Sequence, residues 1–165
     1  MMDFRVIEMP LPFGPEKSQV KVPRFLIVHS MAEYVDYGNG KILHAVECHR
    51  DLGLSAHYYV TPSGVVIKSR GDYDGAWHAL GYNYTSIGVE FLVPGVYTLP
   101  QFESRIRSPY ITDLQRRHGW KLVRHLVRKL NLEMRRHSDV DPKRKVDPGD
   151  GFPWSDLCQV VGVYK

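Results

Sequence analysis

The chain has 165 residues, 43% of them hydrophobic and 24% charged, which suits one globular domain with a single core. No apolar run approaches the roughly 18 residues that a membrane-spanning helix needs, so we expect no membrane span. The net charge of +4 is too small an excess to assign a nucleic-acid partner, and no nucleic-acid-binding motif accompanies it.

The N-terminal segment, residues 1–23, is predicted to be an irregular lead-in. Proline fixes φ and removes a backbone donor, and four prolines interrupt any regular element here: Pro10, Pro12, Pro15 and Pro23. The segment lacks the basic start and apolar stretch of a secretory signal, so we expect a cytoplasmic protein. In that reducing compartment the two distant cysteines, Cys48 and Cys158, are expected to remain thiols without a disulfide.

The next part of the chain predicts a buried strand followed by a helix. The segment "RFLIVHS" (24–30) is a short apolar run that is typical of a buried strand, and we expect this strand to end at His29. The segment "KILHAVECHRDLG" (41–53) places four apolar residues near helical spacing. Gly53 fits the position that follows a helix C-terminus, so a helix is predicted over 41–53.

Three further strands are predicted downstream. The segments "AHYYV" (56–60) and "VVIKS" (65–69) flank the turn "TPSG" (61–64), which is the pattern of a β-hairpin. The irregular stretch "GAWHALGYNY" (75–84) precedes another strand, "TSIGVEF" (85–91).

A loop and the clearest helix of the chain follow. Residues 92–110 contain three prolines and are predicted to be a loop. The segment 112–132 starts with a capping box formed by Thr112 and Gln115, and its leucines recur on one helical face. We interpret the opposite, basic face as solvated; it carries Arg116, Arg117, Lys121, Arg124, Arg128 and Lys129. Strands interspersed with helices, together with a hairpin, predict an α/β fold: a single domain with a central mixed β-sheet flanked by helices.

Histidine, lysine and aspartate lie together on a segment broken by proline and glycine, "MRRHSDVDPKRKVDPGDGFPW" (134–154). His29, His137 and Asp147 could form a tripod of metal ligands that leaves one coordination position open, as catalytic zinc sites do. Lys145 could then stabilise an oxyanion beside that position. Histidine and aspartate are common, so the alternative for His29 is an ordinary buried histidine with satisfied hydrogen bonds.

Glu90 lies among apolar residues of a predicted strand, where a carboxylate is costly to bury without a purpose. One interpretation is a general base with a raised pKa, and the other is an ion-paired or exposed strand residue. Trp77, His78 and Asn83 lie in the stretch before this strand and are candidates for substrate binding. Trp77 could stack on a sugar ring, although tryptophan is also a common core residue.

Six segments of the chain carry a family resemblance. In chain order they are "FLIVHS", "SAHYYVTPSGVVIKS", "GAWHA", "NYTSIGVEF", "TDLQRRHGWKLVRHLVRKLNL" and "RHSDVDPKRKVDPGDGFPW". With these segments the chain resembles the zinc-dependent N-acetylmuramoyl-L-alanine amidases. That group includes small phage amidase-type lysozymes, cytosolic amidases of peptidoglycan recycling and the peptidoglycan recognition proteins.

The resemblance implies a role for each of the candidate metal-binding and catalytic residues. His29, His137 and Asp147 would be the zinc ligands. Glu90 would be the general base, and Lys145 would stabilise the transition state. Recognition proteins that have lost activity typically lack the full ligand set, and this chain retains it, which favours an enzyme.

Two positions separate this chain from some members of the family. Some phage members use cysteine as the third ligand, where this sequence has Asp147, as in the recycling enzymes. Some members carry tyrosine directly before the histidine of the "AHYYV" segment, where this sequence has Ala56. A tyrosine role is therefore unsupported here, and the resemblance leaves the proton transfer to Glu90.

The implied reaction is hydrolysis of the amide bond between N-acetylmuramic acid and L-alanine, carried out by a zinc amidase domain over residues 24–165. A wall-degrading phage endolysin, released from the host cytoplasm to the cell wall, and a recycling enzyme would share this domain. The partner would be peptidoglycan or a muropeptide, and we expect a monomer. Two alternatives remain: a non-catalytic peptidoglycan-binding module, and a polymerase-binding accessory protein, since some phage members regulate a polymerase.

Overall fold

A computed structural model describes residues 4–163, which form seven strands and five α-helices. The strands are β1 (Val6–Glu8), β2 (Phe25–Asp36), β3 (Ile42–His44), β4 (Tyr58–Val60), β5 (Val66–Lys68), β6 (Ser86–Tyr97) and β7 (Glu133–Arg136). The helices are α1 (Ala45–Leu52), α2 (Leu99–Arg105), α3 (Asp113–Leu130), α4 (His137–Val140) and α5 (Trp154–Val161). Residues 1–3 of the predicted lead-in and residues 164–165 of the predicted amidase domain lie outside the described residues. None of the described helices is long and apolar enough to cross a membrane.

The strands form one central mixed sheet, which confirms the predicted α/β architecture. Their order is β1-β5-β4-β6-β2-β3, and β7 also pairs with β2. β6 runs parallel to both β2 and β4, and β7 runs parallel to β2, whereas the pairs β2–β3 and β4–β5 are antiparallel. The two long central strands, β2 and β6, therefore connect β4 and β5 on one side of the sheet with β3 and β7 on the other.

Two cores lie on opposite faces of this sheet. The larger core joins β2, β4 and β6 to α3 and α5, and it contains Leu26 and Val28 of β2. The smaller core joins the other face to α1 and contains Val46 and Tyr59. Because successive strand residues point to opposite faces, His29 points away from the larger core and towards the side of α1.

The central strands are longer than predicted. β2 continues past His29 to Asp36, and β6 continues through Pro94 and Gly95 to Tyr97, so the predicted loop over 92–110 is wrong in its first part. The pairing of β2 with β6 shifts register between Ala32 and Tyr34, and Pro94 lies opposite this irregularity. A bulge tolerates proline because no regular ladder hydrogen bond is lost there. The second part of that segment forms α2, which begins after a capping box made by Thr98 and Gln101.

Short strands also escaped the sequence patterns, among them β1 and β3. The predicted helix over 41–53 starts with β3, which pairs with the end of β2, and only residues 45–52 are helical. Gly53 follows that helix with a φ of 66°, as its predicted position requires. In the lead-in, β1 pairs in parallel with β5 and extends the sheet. A strand of three residues is too short for a periodic pattern to reveal it.

The predicted hairpin and the predicted long helix are confirmed. The hairpin strands are β4 and β5, which pair in antiparallel fashion. α3 begins at the capping box of Thr112 and Gln115 and ends at Asn131, whose φ of 52° stops the helix. Its basic face is exposed, as predicted. Leu114 differs from the pattern, because it lies in the first turn and is 45% exposed.

Candidate active site

Three candidate residues occupy neighbouring positions across the middle of the sheet. His29 of β2 pairs with Glu90 of β6 in the parallel register. On the other side of β2, Val28 pairs with Arg136, the last residue of β7, so His137 follows directly beside His29. All three side chains are buried. The sheet register therefore brings together residues that are up to 108 positions apart in the sequence.

The loop after α4 places Asp147 next to His29, Glu90 and His137. The backbone N–H of Ser138 donates a hydrogen bond to the Asp147 carbonyl oxygen at 2.9 Å. The Tyr110 hydroxyl donates to the carbonyl oxygen of Pro148 at 2.9 Å, and the backbone N–H of Ser30 points to Asp147 Oδ2 at 3.4 Å. These contacts fix the carboxylate on the side of the two histidines.

Glycine is required where the same loop packs against the end of α2. The backbone N–H of Gly151 donates to the carbonyl oxygen of Ile106 at 2.8 Å. A Cβ atom on Gly151 would lie only 2.0 Å from the carbonyl oxygen of Ser108, a distance that backbone atoms cannot accommodate without moving. The glycine thus permits the close approach that seats the loop and its aspartate.

The two histidines and the aspartate form a group that could hold a metal ion. His29 Nδ1 lies 2.9 Å from His137 Nδ1 and 3.4 Å from Asp147 Oδ2, and the latter two atoms are 3.1 Å apart. Burial lowers the pKa of His29 to about 4, which keeps this ring neutral at neutral pH. Burial alone would raise the pKa of Asp147, but the hydrogen bond with His137 and the proximity of His29 outweigh it and leave this pKa below its usual value. A neutral imidazole and an ionised carboxylate are the forms that bind metals.

Glu90 lies beside this group as an acid–base candidate. Its Oε1 is 3.9 Å from His29 Nδ1, and its Oε2 is buried with no hydrogen-bond partner among the described residues. Burial raises the pKa of Glu90 well above its ordinary value, the nearby Asp147 raises it further, and Lys145 opposes the shift. Such a carboxylate takes up a proton more readily than an exposed one.

A cleft of about 940 Å³ opens onto these residues. The predicted site residues that line it are His29, Trp77, His78, Asn83, Glu90, His137, Lys145 and Asp147. Lys145 is exposed, on the loop between α4 and Asp147. Trp77 is half-buried and makes an edge contact with the ring of Tyr84. Asn83 Oδ1 accepts the backbone N–H groups of His78 and Ala79 at 2.9 and 2.8 Å, so it holds the turn that carries His78. Substrate binding by Trp77, His78 and Asn83 stays a prediction.

Two neighbours of the site were not singled out from the sequence. His49 of α1 is buried at the cleft, with its Nδ1 2.6 Å from the Tyr59 hydroxyl. Burial, with smaller contributions from the nearby His29 and Lys145, lowers the pKa of His49 to about 3. Tyr110 holds Pro148 in the loop, as described above. Neither residue belongs to a local motif that a sequence pattern could reveal, because both reach the site through long-range packing.

The protein-family model described as N-acetylmuramoyl-L-alanine amidase matches residues 19–150. This chain belongs to the N-acetylmuramoyl-L-alanine amidase family. The matched range includes all five residues of the predicted metal and catalytic set, so the resemblance in the sequence is confirmed at the level of the family, which is a family of hydrolases.

Solved amidases share the fold. LysC from Clostridium intestinale is 21% identical, with 97% of this chain and 99% of that chain covered and a TM-score of 0.73. AmiD from E. coli, solved with the substrate anhydro-N-acetylmuramic acid-L-Ala-D-gamma-Glu-L-Lys, is 23% identical over 88% of this chain and 60% of that chain, with a TM-score of 0.68. Drosophila PGRP-LB, solved with tracheal cytotoxin, is 15% identical over the full length of both chains, with a TM-score of 0.65. A search of curated proteins gave no match.

No disulfide joins Cys48 and Cys158, as expected for this amidase. Cys48 lines the cleft, but its sulfur lies 3.2 Å from the Tyr37 hydroxyl and does not belong to the metal-binding group. The double variant Cys48→Ser, Cys158→Ser is therefore expected to keep its metal and its activity. Elemental analysis and a turnover assay check this expectation, and loss of metal from the folded double variant would contradict the ligand assignment.

Proposed function

We propose that this chain is a zinc-dependent hydrolase of the amide bond between N-acetylmuramic acid and L-alanine in peptidoglycan or muropeptides. Family membership supports the reaction class. The observation that carries the proposal is the convergence of His29 Nδ1, His137 Nδ1 and Asp147 Oδ2 at the floor of the cleft, next to the buried Glu90.

The donor atoms fit zinc. Zinc binds imidazole nitrogen and carboxylate oxygen at about 2.0–2.2 Å with tetrahedral geometry, so its ligand atoms lie roughly 3.3 Å from one another. The three donor atoms here are separated by 2.9, 3.1 and 3.4 Å. Three protein ligands leave the fourth position open, as in catalytic zinc sites. When bound, zinc acidifies a water molecule and polarises the carbonyl group of a substrate.

Glu90 is the group that moves the proton in this proposal. Its carboxylate lies beside the metal-binding atoms, and its raised pKa makes it a better proton acceptor than an ordinary carboxylate. One carboxylate oxygen accepts a proton as water attacks the amide carbon. The same proton then passes to the nitrogen of the leaving L-alanine amine when the C–N bond breaks. Glu90 lines the cleft, and its Oε2 has no hydrogen-bond partner among the described residues that would compete for the proton.

Lys145 is proposed to stabilise the oxyanion that forms on the amide carbonyl. The side chain is exposed at the cleft, and its charge acts on both His29 and Glu90. Lys145→Ala is expected to lower kcat about 10²–10³-fold, as the loss of one oxyanion stabiliser does, with unchanged metal content. Lys143→Ala removes the same charge from the same loop at a residue that does not line the cleft, and it serves as the control. Equal activity of the Lys145→Ala and Lys143→Ala variants would show that Lys145 does not stabilise the oxyanion.

The test of the proposed reaction is cleavage of a defined substrate. Mass spectrometry should find a peptide with a new N-terminal L-alanine and a sugar that has lost its peptide, whereas a non-catalytic binding module would retain the substrate intact. Comparing intact sacculi with soluble anhydromuropeptides assigns the chain to wall degradation or to recycling. In both cases we propose a cytoplasmic protein, released to the wall if it is an endolysin. We also propose a monomer, because one chain supplies the metal ligands and the base.

A further inference from the structure

A chain of hydrogen bonds extends behind His29, on the side away from the metal-binding atoms. His29 Nε2 lies 2.8 Å from His78 Nδ1, and His78 Nε2 lies 3.1 Å from Ser86 Oγ. The Ser86 hydroxyl donates to the backbone carbonyl oxygen of Tyr82 at 2.7 Å. The chain therefore ends on an atom that can only accept a hydrogen bond.

Because the Tyr82 carbonyl can only accept, it determines which atom is the donor in each of these hydrogen bonds. Ser86 has one hydroxyl proton, which goes to the Tyr82 carbonyl, so Ser86 Oγ accepts the N–H of His78 Nε2. An imidazole that binds a metal carries a single N–H, on the other ring nitrogen, and His78 uses its own N–H at Nε2. His78 Nδ1 is then an acceptor and takes the N–H of His29 Nε2. His29 Nδ1 is left with a lone pair directed at His137 and Asp147.

We propose that His78 is a positioning residue for the metal site, which holds His29 in the tautomer and ring orientation that present Nδ1 to the metal. The inference rests on the proposed function, because it takes His29 as a ligand. Histidines that bind a metal through one ring nitrogen commonly donate the N–H of the other ring nitrogen to an acceptor, which fixes the ring. His137 has no such support among residues 4–163, since its Nε2 is buried without a partner. The hydrogen bond between His29 and His78 is therefore the contact that orients a ligand histidine before the metal binds.

Several elements build the position of His78. A Cβ atom on Gly88 of β6 would lie 2.6 Å from His78 Nδ1 and 2.7 Å from its Cγ, so glycine at this position allows the ring to reach His29. Asn83 holds the backbone of His78, as described for the turn. His57 packs edge-on against the His78 ring, and its Nδ1 accepts the backbone N–H of Gly88 at 3.0 Å. Gly88, His57 and Asn83 together fix the position of the His78 ring.

Two substitutions of similar size separate the hydrogen bond from the packing. In His78→Asn, the side-chain oxygen can take the place of Nδ1 and accept the N–H of His29. In His78→Leu, the side chain has no acceptor. We expect His78→Leu to weaken zinc binding about 10–100-fold, measured by competition with a chromophoric chelator, and His78→Asn to restore most of that loss. His118→Leu is the control, because His118 bonds to the Gly64 carbonyl oxygen and lies outside the cleft.

A second measurement uses the wild-type protein and does not depend on the variants folding. The ¹⁵N chemical shifts of the His29 ring should report a proton on Nε2 and none on Nδ1, both before and after zinc is added. A proton on Nδ1 in the metal-free protein would overturn the inference. Equal zinc affinity of wild type and His78→Leu, or an equal loss in the Leu and Asn variants, would also overturn it while leaving the zinc proposal intact. A wild-type protein that binds no zinc would overturn both.

Discussion

Glu90→Gln is expected to slow amide hydrolysis about 10²–10⁴-fold, because the substitution removes the carboxylate that accepts the proton of the attacking water. Glutamine keeps the size of the side chain, and His29, His137 and Asp147 remain in place to hold the metal. The measurement is kcat/KM on a soluble muropeptide, together with metal content. The loss should appear in turnover with no change in bound zinc.

The matched control is Glu133→Gln, which makes the same change at an exposed strand residue that pairs with Arg135. This control should retain wild-type turnover. The Glu90→Gln protein should melt no lower than wild type, because the native carboxylate is buried with one oxygen unpartnered among the described residues, and such a charge costs stability. A folded, zinc-loaded Glu90→Gln protein that turns over at the wild-type rate would show that Glu90 is not the base.

Removal of the metal is expected to abolish hydrolysis and to destabilise the fold. Elemental analysis should find one zinc ion per chain, and adding zinc after chelation should restore activity. A ligand at about one hundred times its Kd stabilises the native state by about 2.7 kcal/mol, which for a domain of this size corresponds to a Tm lower by roughly 5–10 °C after chelation. Calorimetry with and without zinc measures that difference.

His137→Ala should reproduce the effect of the chelator, since it removes one of the three donor atoms. His125→Ala is the matched control, because His125 is an exposed histidine of α3. His125→Ala should keep both zinc and turnover. Full activity after exhaustive chelation, with no metal detected, would rule out a zinc mechanism.

The sequence predicted the residues of the site better than it predicted their surroundings. Residue types and the family resemblance indicated His29, His137 and Asp147, and these do meet in the structure. The apolar run predicts a strand that ends at His29, whereas β2 continues to Asp36. The histidine is central because β6 and β7 flank it, and a pairing of strands so distant in sequence is not encoded in any local pattern.

The parts that were missed depend on long-range contacts. Pro94 normally ends a strand, but opposite a register shift it can stay within β6. His49 reaches the cleft because α1 packs on the same face of the sheet as His29, which the helical pattern of residues 41–53 does not show. The return of Asp147 depends on the close packing of Gly151 against Ser108, two residues whose contact no spacing rule predicts.

The row formed by His29, Glu90 and His137 has a consequence for how the protein matures. His29 lies on β2, Glu90 lies on β6 and His137 directly follows β7, so a nascent chain that ends before β7 contains only one of the three donor atoms. During synthesis the metal site cannot be assembled until the last strand has paired with β2. Metal binding and completion of the sheet are then one event, because the ion binds a geometry that the unfolded chain does not possess. Zinc binding by the nascent chain would therefore report the moment at which β7 pairs with β2 and completes the central sheet.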